Sequence, residues 1–251
     1  RDKLVTGVQT CALPISHFFD RENHGALADP RTNLIVGDGR SHLLLSRKQY
    51  DVIVSEPSNP WIAGVAALFT REYFEGVRAR LAPGGILCQW ANAYDINDTD
   101  LRSIVATFLS IFPHGTLWLV GADDVLMMAS DGPLDARLEA MRSHWARPGV
   151  ADDLAEVAVR GPFSLWSLYV GGPAQLSRYA AGAPLLTDDT MRLEFSAPHE
   201  VHHHQRAGEN VAILTALLGA DEGPPVIREA RRAAGAAEWR NRGLMMAKSD
   251  V

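Results

Sequence analysis

The chain has 251 residues, 47% apolar and 22% charged, which excludes wholesale disorder and leaves room for one α/β domain with an appendage or two small domains. Lys and Arg number 24 against 30 Asp and Glu, a net charge of −6 without basic runs, so nucleic acid is excluded as the expected partner and a cationic substrate suits the balance better. Two cysteines exclude a disulfide framework and a thiolate zinc site, no apolar run reaches the ~18–20 residues of a membrane helix, and a reducing, cytoplasmic setting is expected.

Residues 1–16 (RDKLVTGVQTCALPIS) have no helical or alternating period, and Thr and Gln interrupt what a secretory signal would need. The run 5–16 resembles the in-frame translation of a sequencing adapter. It is read as a non-native artefact that includes Cys11 and is set aside. Residues 33–36 (NLIV) read as a short buried strand that ends in the turn Gly37-Asp38-Gly39. A short helix over 41–48 comes next, with Ser41 as its cap. Residues 50–55 (YDVIVS) form a second strand, closed by Glu56-Pro57-Ser58-Asn59-Pro60, where two prolines force a loop. The spacing predicts a helix over 70–81, with Thr70 as N-cap and Phe74, Val77 and Leu81 on one face. Pro83-Gly84-Gly85 stops it, and a third strand spans 86–90, with Cys88 as inert packing. Leu101, Ile104, Val105, Phe108, Leu109 and Phe112 mark an amphipathic helix, capped from 97–100 and ended by Pro113. Residues 116–120 and 124–129 read as an antiparallel hairpin. Helical segments over 134–145 and 152–159 precede an irregular stretch to Pro198. The last fifty residues are Ala- and Arg-rich, read helical and break at 223–225. Trp90, Trp118, Trp145, Trp166 and Tyr169 are read as core or interface residues. His199, His202, His203 and His204 read as a solvated loop, so no metal is expected. Asp188 and Asp189 read first as a turn or cap.

Strands alternating with helices predict an α/β fold built on a mostly parallel sheet covered on both faces. Ligands in such sheets sit beyond the carboxyl ends of the strands. Gly37-Asp38-Gly39, the 56–59 loop and 89–92 all fall there. Three polar clusters at one sheet edge are the chief functional signal in the sequence.

The runs DPRTNLIVGDGRSHLL, YDVIVSEPSNP and LFTREYFEGVRARLAPGGIL, with the Gln89 after them, resemble the spermidine synthase (polyamine aminopropyltransferase) family. The likeness is strongest to its bacterial branch fused to a major-facilitator-type membrane part. The segments 187–189 and 193–195 resemble that branch's C-terminal region. The resemblance implies a Rossmann-like, methyltransferase-type sheet over 17–200, incomplete at its N-terminus, and a helical tail over 201–251. Residues 237–250 of that tail resemble the opening helix of a tetratricopeptide repeat. It further implies aminopropyl transfer from decarboxylated S-adenosylmethionine to an amine such as putrescine, leaving methylthioadenosine.

By the same resemblance Asp38 and Gly39 match the pair that meets the adenine, Glu56 matches the catalytic aspartate, and Asn59 matches the second acid of a D-S-S-D loop. Ser58, Gln89 and Asp188 complete the expected substrate contacts. The sequence departs from the pattern at Glu56, one methylene longer, and at Asn59, which keeps hydrogen bonding and loses charge. The family's glycine-rich turn and ribose-binding acid have no counterpart after His17. A chain without those two strands is expected to carry a gap in its sheet and to be unstable or inactive alone. A membrane part upstream and a homodimer are expectations for the intact protein. Two other readings use the same residues. Asn59-Pro60-Trp61 resembles the Asn-Pro-Pro-aromatic loop of amino-directed methyltransferases, and loss of the acid at Asn59 suits a non-catalytic adenosyl- or polyamine-binding regulatory domain of a transporter.

Overall fold

The computed structural model describes residues 16–21, 24–201, 205–219 and 222–247. The artefact reading of 1–16, Ser16 apart, lies outside the described residues, as do His202, His203 and His204. The chain divides into two units, Arg1–Leu45 and Ser46–Val251.

In the first unit two short 3-10 segments, Ser16–Phe19 and Ala26–Ala28, precede helix α1, Gly39–Leu45. The strand expected at 33–36 does not form. Leu34, Ile35 and Val36 are 52%, 55% and 48% exposed and enter no ladder. Apolar composition gives a strand its preference, but a strand persists only when a neighbour takes its backbone hydrogen bonds, and no described segment does so here. The helix expected at 41–48 begins at Gly39 and ends at Leu45. Its cap is Asp38, whose Oδ1 accepts the Ser41 N–H at 2.6 Å.

The second unit holds strands β1 (Tyr50–Ser55), β2 (Leu81–Asn92), β3 (Thr116–Val120), β4 (Asp124–Ala129) and β5 (Tyr169–Gly171). They form one sheet in the order β1-β2-β4-β3-β5. The fold is therefore α/β, but the sheet is mixed. Only β1 and β2 pair in parallel, and the other ladders are antiparallel. The short turn at 121–123 joins β3 to β4, and a connection that short can only make antiparallel neighbours.

Helix α2 (Arg71–Arg80) carries the chain back between the two parallel strands. Thr70 caps it, accepting the Tyr73 N–H, and the Tyr73 hydroxyl donates to Ser55 Oγ at 2.8 Å, tying α2 to β1. Gly85 sits where a Cβ would meet the carbonyl oxygens of Tyr50 and Ala82 at 2.9 Å, so only glycine lets β2 start against β1. Helix α3 (Asp98–Ile111) starts at Asn97, whose Oδ1 accepts the Asp100 N–H, and the stripe read from the sequence is buried except for Leu109, which is half-buried. Phe74 of α2 and Phe108 of α3 meet edge to face at 5.7 Å. The side chains of Ile53, Leu87, Val125, Met127, Leu117 and Leu119 form the buried face of the sheet.

The opposite face is covered unevenly. Helices α4 (Asp135–Trp145), α5 (Val150–Glu156), α6 (Pro162–Trp166) and α7 (Pro173–Tyr179) precede α8 (Arg192–Ser196) and a 3-10 turn, Ala197–His199. Helices α9 (Gln205–Ala216), α10 (Pro225–Ala233) and α11 (Ala236–Ala247) complete the chain order. Trp118, Leu138, Phe163, Trp166, Tyr169 and Ile227 pack as one cluster over the β3–β5 end of that face. At the other end Val52 and Val54 of β1 stand 58% and 67% exposed. The stretch read as irregular between 160 and 198 thus contains β5, α6, α7 and α8, elements too short for a period to show.

Candidate functional site

Because β1 and β2 run in parallel with Ser55 opposite Gln89, the segments that leave their carboxyl ends emerge at one sheet edge. The loop 56–64 starts there. Glu56 is exposed immediately after β1, and Pro60 is buried and anchors the turn. Asn59 is half-buried, and its amide donates to the Tyr94 hydroxyl oxygen at 3.2 Å. The Trp61 ring meets Tyr94 edge-on, with centroids 6.0 Å apart. Gly64 closes the loop in the left-handed region (φ 84°), and both carboxylate oxygens of Glu194 accept its N–H, at 2.9 and 3.1 Å.

The segment after β2 carries Tyr94. Buried Asn210 of α9 donates to the carbonyls of Ala93 (2.8 Å) and Ile96 (2.9 Å). The Ala93 N–H donates to the Asp123 carbonyl at 2.8 Å, and the Asn92 amide donates to the Tyr94 carbonyl. Asp95 lies between these anchors at φ 45°, a conformation that L residues rarely adopt.

The β3–β4 turn brings Asp123 and Asp124 to the same place, with Asp124 directly opposite Asn92 in the ladder. Burial pushes the Asp124 carboxyl above the ordinary carboxylate range. A hydrogen bond from Trp90 opposes that rise and the charge of Glu56 adds to it. Burial also raises the Tyr94 phenol; the Asn59 bond opposes the rise, and the charges of Asp124, Asp123 and Asp95 reinforce it. Cys88 is raised first by burial and then by Glu56, so it is inert packing at neutral pH. The rim is thus a negatively charged surface with an aromatic floor, suited to an amine that arrives with one end cationic.

The structure gathers Glu56 and Asn59 at this rim, with exposed Ser58 between them in the loop. Gln89 is fully buried and leaves β2 on the face opposite Cys88 and Trp90, its amide donating to the Trp90 carbonyl at 3.1 Å. Asp188 is at the same strand edge but is engaged in structure: its Oδ1 accepts from Thr70 Oγ1 at 2.8 Å and its N–H donates to Glu72 at 3.0 Å. Asp38 and Gly39 lie in the first unit, where hydrogen bonds from Ser41, chiefly its side chain, hold the Asp38 carboxyl below the usual range. Sequence reasoning does not single out Tyr94, Asp124 or Asn210. Asp124 is legible there only as the first residue of a hairpin strand, since its place opposite Asn92 depends on ladder register.

Residues 12–120 match the family model described as "Spermine/spermidine synthase domain". The chain is 30% identical over 132 residues to a polyamine aminopropyltransferase of Nitrosomonas europaea, covering 46% of this chain and 40% of that protein. It is 33% identical over 85 residues to putrescine N-methyltransferase 2 of Nicotiana tabacum, covering 34% of this chain and 24% of that protein. A solved structure, a probable spermidine synthase from Corynebacterium glutamicum, superposes with TM-score 0.43 at 20% identity, over 68% of this chain and 61% of that one. The chain spans less than half the length of the curated relatives it matches.

Proposed function

We propose that this chain belongs to a polyamine aminopropyltransferase of the spermidine synthase family, which moves an aminopropyl group from decarboxylated S-adenosylmethionine to a diamine such as putrescine. The observation that carries the reading is the rim of Glu56, Asn59, Tyr94 and Asp124 at the parallel strand edge, of which Glu56, Asn59 and Tyr94 lie within the segment that matches the spermine/spermidine synthase domain. The nucleophilic amine must be neutral. In the reaction its lone pair forms a C–N bond while the C–S bond of the sulfonium breaks, sulfur keeping the electron pair as a neutral thioether. The product ammonium then loses a proton, for which Glu56 is the acceptor. The loop 56–64, fixed by Glu194 and Asn59, supplies the alignment that an in-line displacement needs. Asp38 and Gly39 are proposed to meet the adenosyl part of the co-substrate, with Ser58, Gln89 and Asp188 in supporting roles. A membrane part and a dimer partner in the intact protein belong to the same proposal; among the described residues no helix is long and apolar enough to cross a membrane.

The test is methylthioadenosine release from decarboxylated S-adenosylmethionine and 1,4-diaminobutane, by the uninterrupted reading frame that contains this chain. Glu56→Gln is expected to lower turnover by about 10²–10⁴-fold, the usual contribution of a positioned base. Methyl transfer from S-adenosylmethionine instead, or binding of both substrates without turnover, would replace this function with the methyltransferase or regulatory reading.

A further inference from the structure

The rim contains a buried acceptor that no group satisfies. Asn92 is fully buried, its amide N–H is spent on the Tyr94 carbonyl, and its Oδ1 has no hydrogen-bond partner. Leaving such an oxygen unpaired is costly, and a donor brought by a ligand removes the cost. Asn92 faces Asp124 across the β2–β4 ladder, so both side chains leave the sheet on the same side. The Trp90 indole, two residues before Asn92 and therefore on that side too, donates to the Asp124 carboxylate. Tyr94, the partner of Asn59, is near enough to Asp124 for that charge to act on its phenol.

This part of the rim thus holds three acceptors, a carboxylate, an amide oxygen and a phenol oxygen. A primary ammonium has three N–H donors and one positive charge. We propose that Asp124, Asn92 and Tyr94 cradle the distal ammonium of the diamine, so that Asp124 supplies the charge that Asn59 does not. This specificity site rests on the aminopropyltransferase reading only for the identity of the amine. The charge of Glu56 reaches Asp124, which places the two carboxylates near one another at the rim. The site thus separates the end of the diamine that stays cationic from the end that must be neutral to react.

The experiment titrates the 251-residue chain with 1,4-diaminobutane and with butylamine, by calorimetry and by the Trp90 indole N–H resonance. The diamine is expected to bind about tenfold or more tighter than the monoamine, as one charge-assisted hydrogen bond in a part-buried site predicts. It should shift the Trp90 resonance, and butylamine should not. Asp124→Asn should bring the two affinities to near parity, Asp124→Glu should keep part of the preference, and the surface control Asp152→Asn should change nothing. Equal affinities for the two amines in the wild type, no binding of either, a Trp90 resonance unmoved by the diamine, or an undiminished preference in Asp124→Asn each overturns the proposal. Should Asp124→Asn not fold, the wild-type titration alone decides. The transfer assay is independent: diamine preference without aminopropyl transfer sinks the reaction and keeps the site, whereas transfer with preference intact in Asp124→Asn does the reverse.

Discussion

Asn210 holds the Tyr94 segment from outside, and its removal gives a worked estimate. The residue is 2% exposed and its amide makes two hydrogen bonds, to Ala93 and Ile96, both themselves fully buried. Asn210→Leu removes the donor, keeps the branching at Cγ and strands two buried carbonyls. Each orphaned acceptor costs about 1–3 kcal/mol, partly relieved where the segment can shift toward water, so the loss should be about 2–4 kcal/mol. Asn210→Asp is nearly isosteric but turns a donor into a charge that faces two carbonyl oxygens, and should cost at least as much. Urea unfolding reads the result: the midpoint should fall while the m-value stays constant, which shows that the native state and not the unfolded chain has changed. Near-ultraviolet circular dichroism should also change as the Trp61–Tyr94 edge contact loosens. A loss below about 0.5 kcal/mol in Asn210→Leu, the ordinary range of a surface substitution, would refute the idea that this amide carries the segment.

The same geometry sets two further outcomes. The Asp124 carboxyl is held above its unfolded value, so the folded state binds more protons there than the unfolded one, and stability attributable to this group falls as pH rises from the unfolded pKa through the folded one. Comparing the pH dependence of unfolding in wild type and Asp124→Asn should show the wild type losing ground across that window, and parallel curves would contradict the assignment. Val54, 67% exposed on β1, should accept Lys within about 0.5 kcal/mol by thermal unfolding of this chain; a loss above about 2 kcal/mol would mean that the flank is covered in solution.

Local signals in the sequence map onto structure where they are complete within a short window. Thr70 and Asn97 announce their helices because an N-cap is a local hydrogen bond, and the stripe from Leu101 to Phe112 is buried at all its positions but Leu109 because a helix averages its neighbours over several turns. The 33–36 run has an equally good local signal and forms no strand, because a strand also requires a partner that sequence preference does not supply. The direction of the ladders departs from the mostly parallel expectation for a related reason. Alternation of strand and helix ends at β3, after which the chain returns by a hairpin and inserts β4 between β2 and β3. Of the site, Glu56 and Asn59 are legible because they succeed a strand in a proline-marked loop. The pairing of Asp124 with Asn92, which lies in the polar 89–92 cluster, is not legible because it is a matter of register, and Asn210 reaches Ala93 from 117 residues away.

The acids and aromatic groups of the rim all lie between residues 56 and 124, and the family match ends at residue 120. The clasps that hold them do not: Asp188 grips Thr70, Glu194 grips Gly64, and Asn210 grips the backbone around Tyr94. An excised 46–130 segment would therefore keep the acids and aromatic groups of the rim while losing their scaffolding. The smallest working module of this protein is set by what braces the chemistry from downstream, and a boundary drawn where sequence similarity fades would cut through it.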